Sequence, residues 1–196
     1  MDPGWESLWH SVGAKGGSSS GGAPARTGLR EVAAGSTVGA AADSRAFVIR
    51  TDGASRGNPG PASLGAVLID ATSAGARRPD ATPIATISEY LGVQTNNVAE
   101  YTAVLRALTL AEELGAHRVE MLLDSKLIVE QLQGRWRVKD AKLIPLHAEA
   151  RARLDRLDRW TATHVPRAQN KQADALCNEA IDRAQQGGAR SVVVRP

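Results

Sequence analysis

The feature that most constrains this chain is an apolar run that leads into an acid. Residues 46–50, AFVIR, are typical of a buried β-strand, but the chain continues as Thr51-Asp52 and then becomes rich in Gly, Asn and Pro over 53–61. A carboxylate at the end of a buried strand costs free energy unless a partner compensates its charge. The rest of the chain must therefore supply that partner.

The hydrophobic periodicity predicts an α/β domain that begins with three strands in an antiparallel meander, because the connections between them are short. Farther along the chain, helical and extended apolar patterns alternate. The expected strands are 46–52, 63–71, 84–92, 117–124 and 160–166, and the expected helices are 98–115, 125–134, 142–157 and 170–184. This order, βββ-α-β-αα-β-α, predicts a mixed five-stranded sheet with helices on both faces.

Composition predicts a tail on each side of this domain. Residues 1–45 contain 24 Gly, Ala or Ser and lack apolar periodicity, so we expect a disordered tail there. Within it, Trp5, Leu8 and Trp9 are either isolated apolar residues or a docking segment for a partner. The domain is expected over 46–185, and the Gly-rich end, 186–196, is expected to be a flexible tail.

Cysteine content and hydropathy indicate the setting in which the protein works. The single cysteine, Cys177, excludes an intrachain disulfide and a cysteine-based zinc site, which favours a reducing, cytoplasmic location. No apolar stretch approaches the roughly 20 residues of a membrane helix, and the N-terminus lacks the apolar region of a secretory signal. We expect no membrane contact, no obligate protein partner and a monomer.

Charge is distributed unevenly. Between Gly134 and Lys171 there are ten Lys or Arg residues against four acids, so the remainder of the chain is net acidic although the whole carries +3. A basic half beside an acidic half is typical of a polyanion-binding surface next to a metal site. The alternative is a solvated helix face with i,i+4 ion pairs over 149–159.

Four acids are expected at the ends of four elements. Asp52 and Asp124 end strands, and Glu100 and Asp174 are expected in the first turns of helices. Each has an ordinary explanation alone, since acids complement the dipole at a helix N-terminus and Asp52 could cap a turn. Together they would repel one another without a cation. Their hard oxygen ligands suit Mg²⁺ or Mn²⁺, and a pair of such ions suits displacement at phosphorus.

The motifs that carry these acids occur in the order of a known family. TDGASRGNPGP, QTNNVAEYTAVLRAL, MLLDSKLIVEQLQG and NKQADALCNEA together resemble type 1 ribonuclease H, in its shorter bacterial and archaeal form, over about 46–184. The resemblance implies a ribonuclease H-like fold. It also implies a sequence-independent endonuclease that cuts the RNA strand of RNA–DNA hybrids with two Mg²⁺ ions, or Mn²⁺ as a substitute. The products would carry 5′-phosphate and 3′-hydroxyl ends.

The resemblance also implies roles for individual residues. The implied catalytic and metal-binding residues are Asp52, Glu100, Asp124 and Asp174, with Gly53 as a further member of the metal site. Gly53 is expected to let the RNA backbone pass closely, because a side chain there would collide with it. The implied substrate-binding residues are Gly53, Asn58, Thr95, Asn96, Asn97, Ser125, Trp136, Arg167 and Asn170.

The chain departs from the longer members of that family at several positions. GRWRVKDAK replaces a long basic handle, so Trp136 either contacts the DNA sugar or is a packing residue. Val93 stands where many relatives have an arginine near the DNA phosphate. His164 is expected to be half-buried in its strand, which leaves Arg167 as the better candidate for the role of a mobile histidine loop. Asn170 either caps the last helix or touches the active site.

Three alternatives stay open at this point. An integrase or a 3′–5′ exonuclease shares acids on a similar sheet, but lacks the DGASRGNPGP loop together with TNN before Glu100. A non-catalytic nucleic-acid-binding module would require one of the four acids to be missing. The remaining alternative is an α/β domain whose acids coincide by chance.

Overall fold

The computed structural model describes residues 45–196, in which six strands and four α-helices form one α/β unit. The strands are β1 (Arg45–Ser55), β2 (Gly60–Asp70), β3 (Ala85–Gln94), β4 (Ala116–Leu123), β5 (Arg159–His164) and β6 (Ser191–Val194). The helices are α1 (Asn96–Glu113), α2 (Lys126–Leu132), α3 (Leu143–Leu154) and α4 (Lys171–Gln185), and a 3₁₀ turn spans Arg167–Gln169. Every predicted strand and helix is present, with bounds shifted by a few residues. The predicted tail over 1–45, with its Trp5–Trp9 segment, lies outside the described residues apart from Arg45.

The strands form one mixed sheet in the order β5-β4-β1-β2-β3-β6. The first three strands pair antiparallel, as the short connections predicted. β4 runs parallel to β1, and β5 runs parallel to β4. Helices lie on both faces of the sheet. The predicted α/β fold with a mixed sheet is therefore confirmed, except for the number of strands.

The sheet has six strands in the described region, and the expected five-stranded sheet is wrong. Ser191–Val194 pairs antiparallel with β3, so these four residues are an edge strand and not part of a flexible tail. The connection is fixed as well, since Arg183 Nε donates to the Ala189 carbonyl at 2.7 Å. A run of β-branched residues favours a strand, but four residues gain their hydrogen bonds only from a partner about a hundred residues earlier in the chain.

The two faces of the sheet have different packing. One face, the α1 face, carries Phe47, Ile49, Leu64, Leu68 and Met121 against apolar residues of α1 and α3. The opposite face, the α4 face, carries the smaller apolar cluster of Val48, Val67, Ile69 and Leu122 and packs against α4. Burial of both clusters removes apolar surface from water, which stabilises the fold and fixes the helices on the sheet.

Parallel pairing of β1 and β4 brings two of the acids to the same edge. Ile49 pairs with Met121, so Asp52 and Asp124 each follow this pair by three residues. Asp52 does not end its strand as expected, because β1 continues to Ser55 and Asp52 pairs with Gly65 of β2.

Within residues 45–196, no helix combines the length and apolar character that crossing a bilayer requires.

Candidate active site

An open cleft of about 380 Å³ lies at the carboxyl ends of β1 and β4. It is lined by Asp52, Gly53, Ala54, Ser55, Asn96, Glu100, Asp124 and Arg167. Three of the four predicted acids therefore share one cleft. The fourth, Asp174, is linked to it by an ion pair with Arg167.

Asp52 is the acid whose ionisation the site perturbs most. Asp52 is only 8% exposed to solvent. Burial, followed by the charges of Asp124 and Asp174, raises the pKa of Asp52 to about 7, although the nearby Arg167 acts in the opposite direction. The mutual repulsion expected from the sequence is thus a property of the folded site.

Glu100 projects from the second turn of α1 and not from the first, because the helix begins at Asn96, two residues earlier than expected. Both of its carboxylate oxygens accept hydrogen bonds. Asn96 Nδ2 donates to Oε1 at 2.8 Å, and Ser125 Oγ donates to Oε2 at 2.7 Å. Burial raises the pKa of Glu100, and these two hydrogen bonds act against that rise. The carboxylate is therefore fixed in orientation.

Asp124 directly follows β4 and is held by Asn170. Asn170 is fully buried, and its Nδ2 donates to Asp124 Oδ1 and to the Thr51 carbonyl, both at 2.8 Å. Asn170 occupies the N-cap position of α4, but its side chain makes no capping hydrogen bond. Asn170 therefore stands at the N-cap position while its side chain contacts Asp124, and its role in substrate binding stays a prediction.

Asp174 lies in the first turn of α4, as expected. Its Oδ1 accepts a hydrogen bond at 2.6 Å from Arg167, whose side chain is 77% exposed. This pairing raises the pKa of the Arg167 guanidinium.

His164, expected to be half-buried, is exposed at the end of β5 because β5 is the outer strand of the sheet.

The structure gives a reason for a glycine at position 53 that the sequence did not predict. A Cβ on Gly53 would lie 2.1 Å from Glu100 N and 2.4 Å from the Ala99 carbonyl carbon. The space on that side is therefore filled by the backbone of α1, whereas the passage of RNA along the cleft side of Gly53 stays a prediction. Because any side chain would push on the turn that carries Glu100, Gly53 sets the distance between β1 and that acid.

Several of the predicted substrate-binding residues lie around the start of α1. Asn58 Oδ1 accepts from Asn96 N at 3.2 Å, which ties the loop after β1 to the helix. Thr95 caps α1 by accepting from Val98 N at 3.4 Å. Asn97 is exposed. Contacts of these residues with nucleic acid stay predictions.

Trp136 lies in the connection between α2 and α3 and is 46% exposed. Lys126 Nζ lies 6.0 Å from the centroid of its ring. Nearly half of the residue faces solvent, so part of its surface is accessible, and its contact with the DNA sugar stays a prediction. Val93 is also exposed, at 67%.

The excess of basic residues between Gly134 and Lys171 is partly neutralised within the protein. Arg151 pairs with Asp155 and Arg153 with Glu149, both at i,i+4 spacing. Arg153 also pairs with Glu112 of α1. The alternative of a solvated, ion-paired helix face is confirmed for 149–159, so the predicted polyanion surface does not extend over that segment.

The donor set of the cleft fits a hard cation. All four acids offer carboxylate oxygens. Burial and then repulsion between carboxylates raise the pKa of Asp52, and a bound divalent cation would remove the repulsion. In residues 45–196, no three His, Cys, Asp or Glu side chains already converge in the arrangement of a metal site. Hydrogen bonds from Asn96, Ser125, Asn170 and Arg167 hold the individual carboxylates instead.

Sequence reasoning missed one residue beneath the site. Arg50 is 1% exposed within β1, two residues before Asp52. The signal was present, because an arginine at an inward position of an otherwise apolar strand requires partners elsewhere in the fold.

Comparison with known proteins agrees with this geometry. A family model described as Reverse transcriptase-like matches residues 50–180. The bifunctional protein Rv2228c of Mycobacterium tuberculosis is 44% identical over 142 residues, which are 72% of this chain and 37% of that protein. The chain thus spans little more than a third of that relative. A ribonuclease H of Alkalilimnicola ehrlichii is 35% identical over 154 residues, with 71% of this chain and 97% of that protein covered.

A solved structure extends the comparison to the fold. LC11-RNase H1 in complex with an RNA/DNA hybrid superposes with a TM-score of 0.64 at 38% identity, covering 71% of this chain and 99% of that one. The segment that the family model matches, residues 50–180, contains all four acids. The chain belongs to the type 1 ribonuclease H family.

Proposed function

We propose that this chain is an endonuclease that hydrolyses the RNA strand of RNA–DNA hybrids without sequence preference. The observation that carries the proposal is the meeting of Asp52, Glu100 and Asp124 in one cleft, with Asp174 joined through Arg167. The relatives named ribonuclease H, and the hybrid bound to LC11-RNase H1, support the same activity. The proposed catalytic domain is 46–185.

Asp52, Glu100, Asp124 and Asp174 would hold two Mg²⁺ ions, or Mn²⁺ in their place. When bound, such ions stabilise charge on the scissile phosphate and lower the pKa of a bound water, giving 5′-phosphate and 3′-hydroxyl products. This choice follows from the donor set, which consists of carboxylates and contains no histidine or thiolate.

The neighbouring polar residues prepare these carboxylates. Asn96 and Ser125 fix both oxygens of Glu100, and Asn170 orients Asp124 from a fully buried position. Arg167 balances the charge of Asp174 from the exposed side of the cleft. Charged groups that are fixed before substrate arrives lose little free energy to reorganisation during the reaction.

Recognition of the hybrid would use the rim of the cleft. Asn58, Asn96 and Asn97 lie around the start of α1, where they can contact the wide minor groove and its 2′-hydroxyls. Exposed Trp136, with Lys126 above its ring, is suited to stack on a sugar of the DNA strand. Contacts with phosphates would make the affinity decrease with salt.

The setting proposed for this activity is a monomer in the cytoplasm. Cys177 is buried and not part of a disulfide, which supports a reducing compartment. Burial raises the pKa of its thiol, so it is not a reactive thiolate at neutral pH.

Cleavage of end-labelled RNA–DNA hybrid, with RNA–RNA and DNA–DNA duplexes alongside, tests the proposal in Mg²⁺, Mn²⁺ and EDTA. We expect internal cuts in the RNA strand of the hybrid and none in EDTA. Asp124→Asn should lower the rate at least about 100-fold, because an amide cannot replace the carboxylate charge. Hybrid binding, measured by fluorescence anisotropy, should persist.

Asp80→Asn is the matched control, because Asp80 is an exposed acid that pairs with Arg78 away from the cleft. It should cleave like the wild type. Normal cleavage by Asp124→Asn would show that the site is misassigned. Hybrid binding without any cleavage by the wild-type protein would favour a non-catalytic binding module.

A further inference from the structure

Arg50 is a buried cation beneath the cleft, and the proposed chemistry does not use it. It is 1% exposed and, by strand alternation, projects from β1 on the same side as Val48, next to the apolar cluster of the α4 face. A guanidinium in such surroundings is costly unless it is hydrogen-bonded. Its partners therefore indicate why the fold contains it.

Arg50 joins two backbone segments that are far apart in sequence. Its Nη1 donates to the Gln169 carbonyl at 2.8 Å, and its Nη2 donates to the Arg77 carbonyl at 2.6 Å. Gln169 ends the 3₁₀ turn before α4, and Arg77 lies in the connection between β2 and β3. Within residues 45–196, Nε has no hydrogen-bond partner, and the two hydrogen bonds of the guanidinium go to these carbonyls.

The Arg77 side of this bridge is anchored to the sheet. Arg77 Nε donates to Glu120 Oε2 at 2.9 Å, and its Nη2 lies 2.8 Å from the same oxygen. Glu120 belongs to β4 and is 8% exposed. The same connection is tied to α4, because Gln172 Nε2 donates to the Ala81 carbonyl at 3.1 Å. Arg50 therefore reaches from a fixed point to the 3₁₀ turn.

The Gln169 side of the bridge leads directly to two of the acids. Arg167, two residues before Gln169, donates to Asp174 at 2.6 Å. Asn170, the next residue after Gln169, donates to Asp124 at 2.8 Å. The position of the Gln169 carbonyl on the sheet thus helps to decide where both donors lie.

We propose that Arg50 is a positioning residue, which seats the turn 167–170 on the sheet and so keeps Asn170 on Asp124 and Arg167 on Asp174. It touches neither substrate nor reacting atoms. The expected effect of Arg50 on the cleavage rate rests on the proposed function, whereas its effect on the positions of Asn170 and Arg167 does not. A displacement of about 1 Å at the site lowers the rate by up to about 100-fold.

Arg50→Met and Arg50→Lys test this role. Methionine keeps an unbranched side chain and removes both hydrogen bonds, so kcat should fall about 10- to 100-fold. The KM for the hybrid should change by less than about twofold, since the proposed rim contacts around α1 and Trp136 are untouched. Lysine retains a cation that can reach one carbonyl, and should recover part of kcat.

Two control variants separate positioning from loss of stability. Val48→Ala opens a cavity in the adjoining apolar cluster, where Val48 is fully buried, and should lower Tm without changing kcat at a temperature where all variants are folded. Arg78→Met makes the same substitution in the connection that contains Arg77, at an exposed residue paired with Asp80, and should change neither quantity.

A measurement that does not depend on cleavage completes the test. In isotope-labelled protein, the side-chain amide signals of Asn170 and the Nε signal of Arg167 should shift in Arg50→Met and keep their positions in Arg78→Met. If the wild-type protein cleaves no hybrid, the proposed function fails, and these signals alone decide the positioning role.

The inference is overturned if Arg50→Met keeps the wild-type kcat or leaves the Asn170 signals in place. It is also overturned if Val48→Ala loses as much kcat as Arg50→Met. If Arg50→Met does not fold, Arg50→Lys carries the test, and a lysine variant with wild-type kcat and unshifted Asn170 signals contradicts the role.

Discussion

The α1 face and the α4 face of the sheet are built from different chemistry. The α1 face is an apolar interior made by Phe47, Ile49, Leu64 and Leu68 against the helices. The α4 face has fewer apolar residues, and Arg50 and Glu120 are buried in the strands on that side. Both faces end at the same cleft, which Glu100 of α1 lines and to which Asp174 of α4 is linked through Arg167.

Polar contacts on the α4 face bring helix and sheet close together. Ser63 Oγ donates to the Cys177 carbonyl at 2.7 Å, and Ser88 Oγ donates to the Leu176 carbonyl at 2.9 Å. A Cβ on Gly65 would lie 2.1 Å from the Ala173 carbonyl oxygen. Apolar packing is nondirectional and tolerates some rearrangement, whereas hydrogen bonds fix direction. The comparison therefore predicts that the apolar packing of the α1 face supplies most of the stability, and that the polar contacts of the α4 face supply orientation.

The largest effect on stability is expected on the α1 face. Leu108→Ala removes a side chain that is 2% exposed in the main cluster, and should lower the free energy of unfolding by about 2–5 kcal/mol. Urea unfolding measures this loss. Cleavage by the folded fraction should stay normal, because Leu108 lies two turns beyond Glu100. A kcat that decreases in step with stability would break the division between the two faces.

The next effect comes from Asp52, at the edge where the faces meet. Its pKa is about 7 in the folded protein and 3.8 in its ordinary state, so folding favours the protonated form. The wild type should therefore lose stability as pH rises from about 4 to about 7, by up to about 4 kcal/mol relative to Asp52→Asn.

Urea unfolding of both proteins across this pH range, with and without Mg²⁺, measures the difference. Mg²⁺ should reduce the decline in the wild type, since a bound cation stabilises the ionised carboxylates. Parallel pH profiles for the two proteins would contradict the raised pKa of Asp52 in the folded state.

The smallest effect is expected from a single polar contact on the α4 face. Ser63→Ala removes the hydrogen bond to the Cys177 carbonyl and should cost about 1 kcal/mol of unfolding free energy. The kcat should decrease more than this stability loss suggests, because the contact helps to set the position of α4 and hence of Asp174. Unchanged kcat would show that Gly65 and the apolar contacts position α4 without it.

The sequence alone determined the order of the elements and the identity of the acids. Apolar spacing marked the five longer strands and four helices, because each buries one side and repeats with its own period. The motifs around Asp52, Glu100, Asp124 and Asp174 identified the family. These signals are local, so they can be read without knowing which segments meet.

Tertiary structure decided what depends on segments that meet from far apart in the chain. β6 exists because the edge of β3 supplies its hydrogen bonds, and Gly53 is required because the backbone of α1 fills the space beside it. The Asn170 side chain donates a hydrogen bond to Asp124 and does not cap the helix. Arg50 donates hydrogen bonds to the carbonyls of Arg77 and Gln169. A polar side chain accepts any suitable partner within reach, so its role is settled only when the fold brings that partner to it.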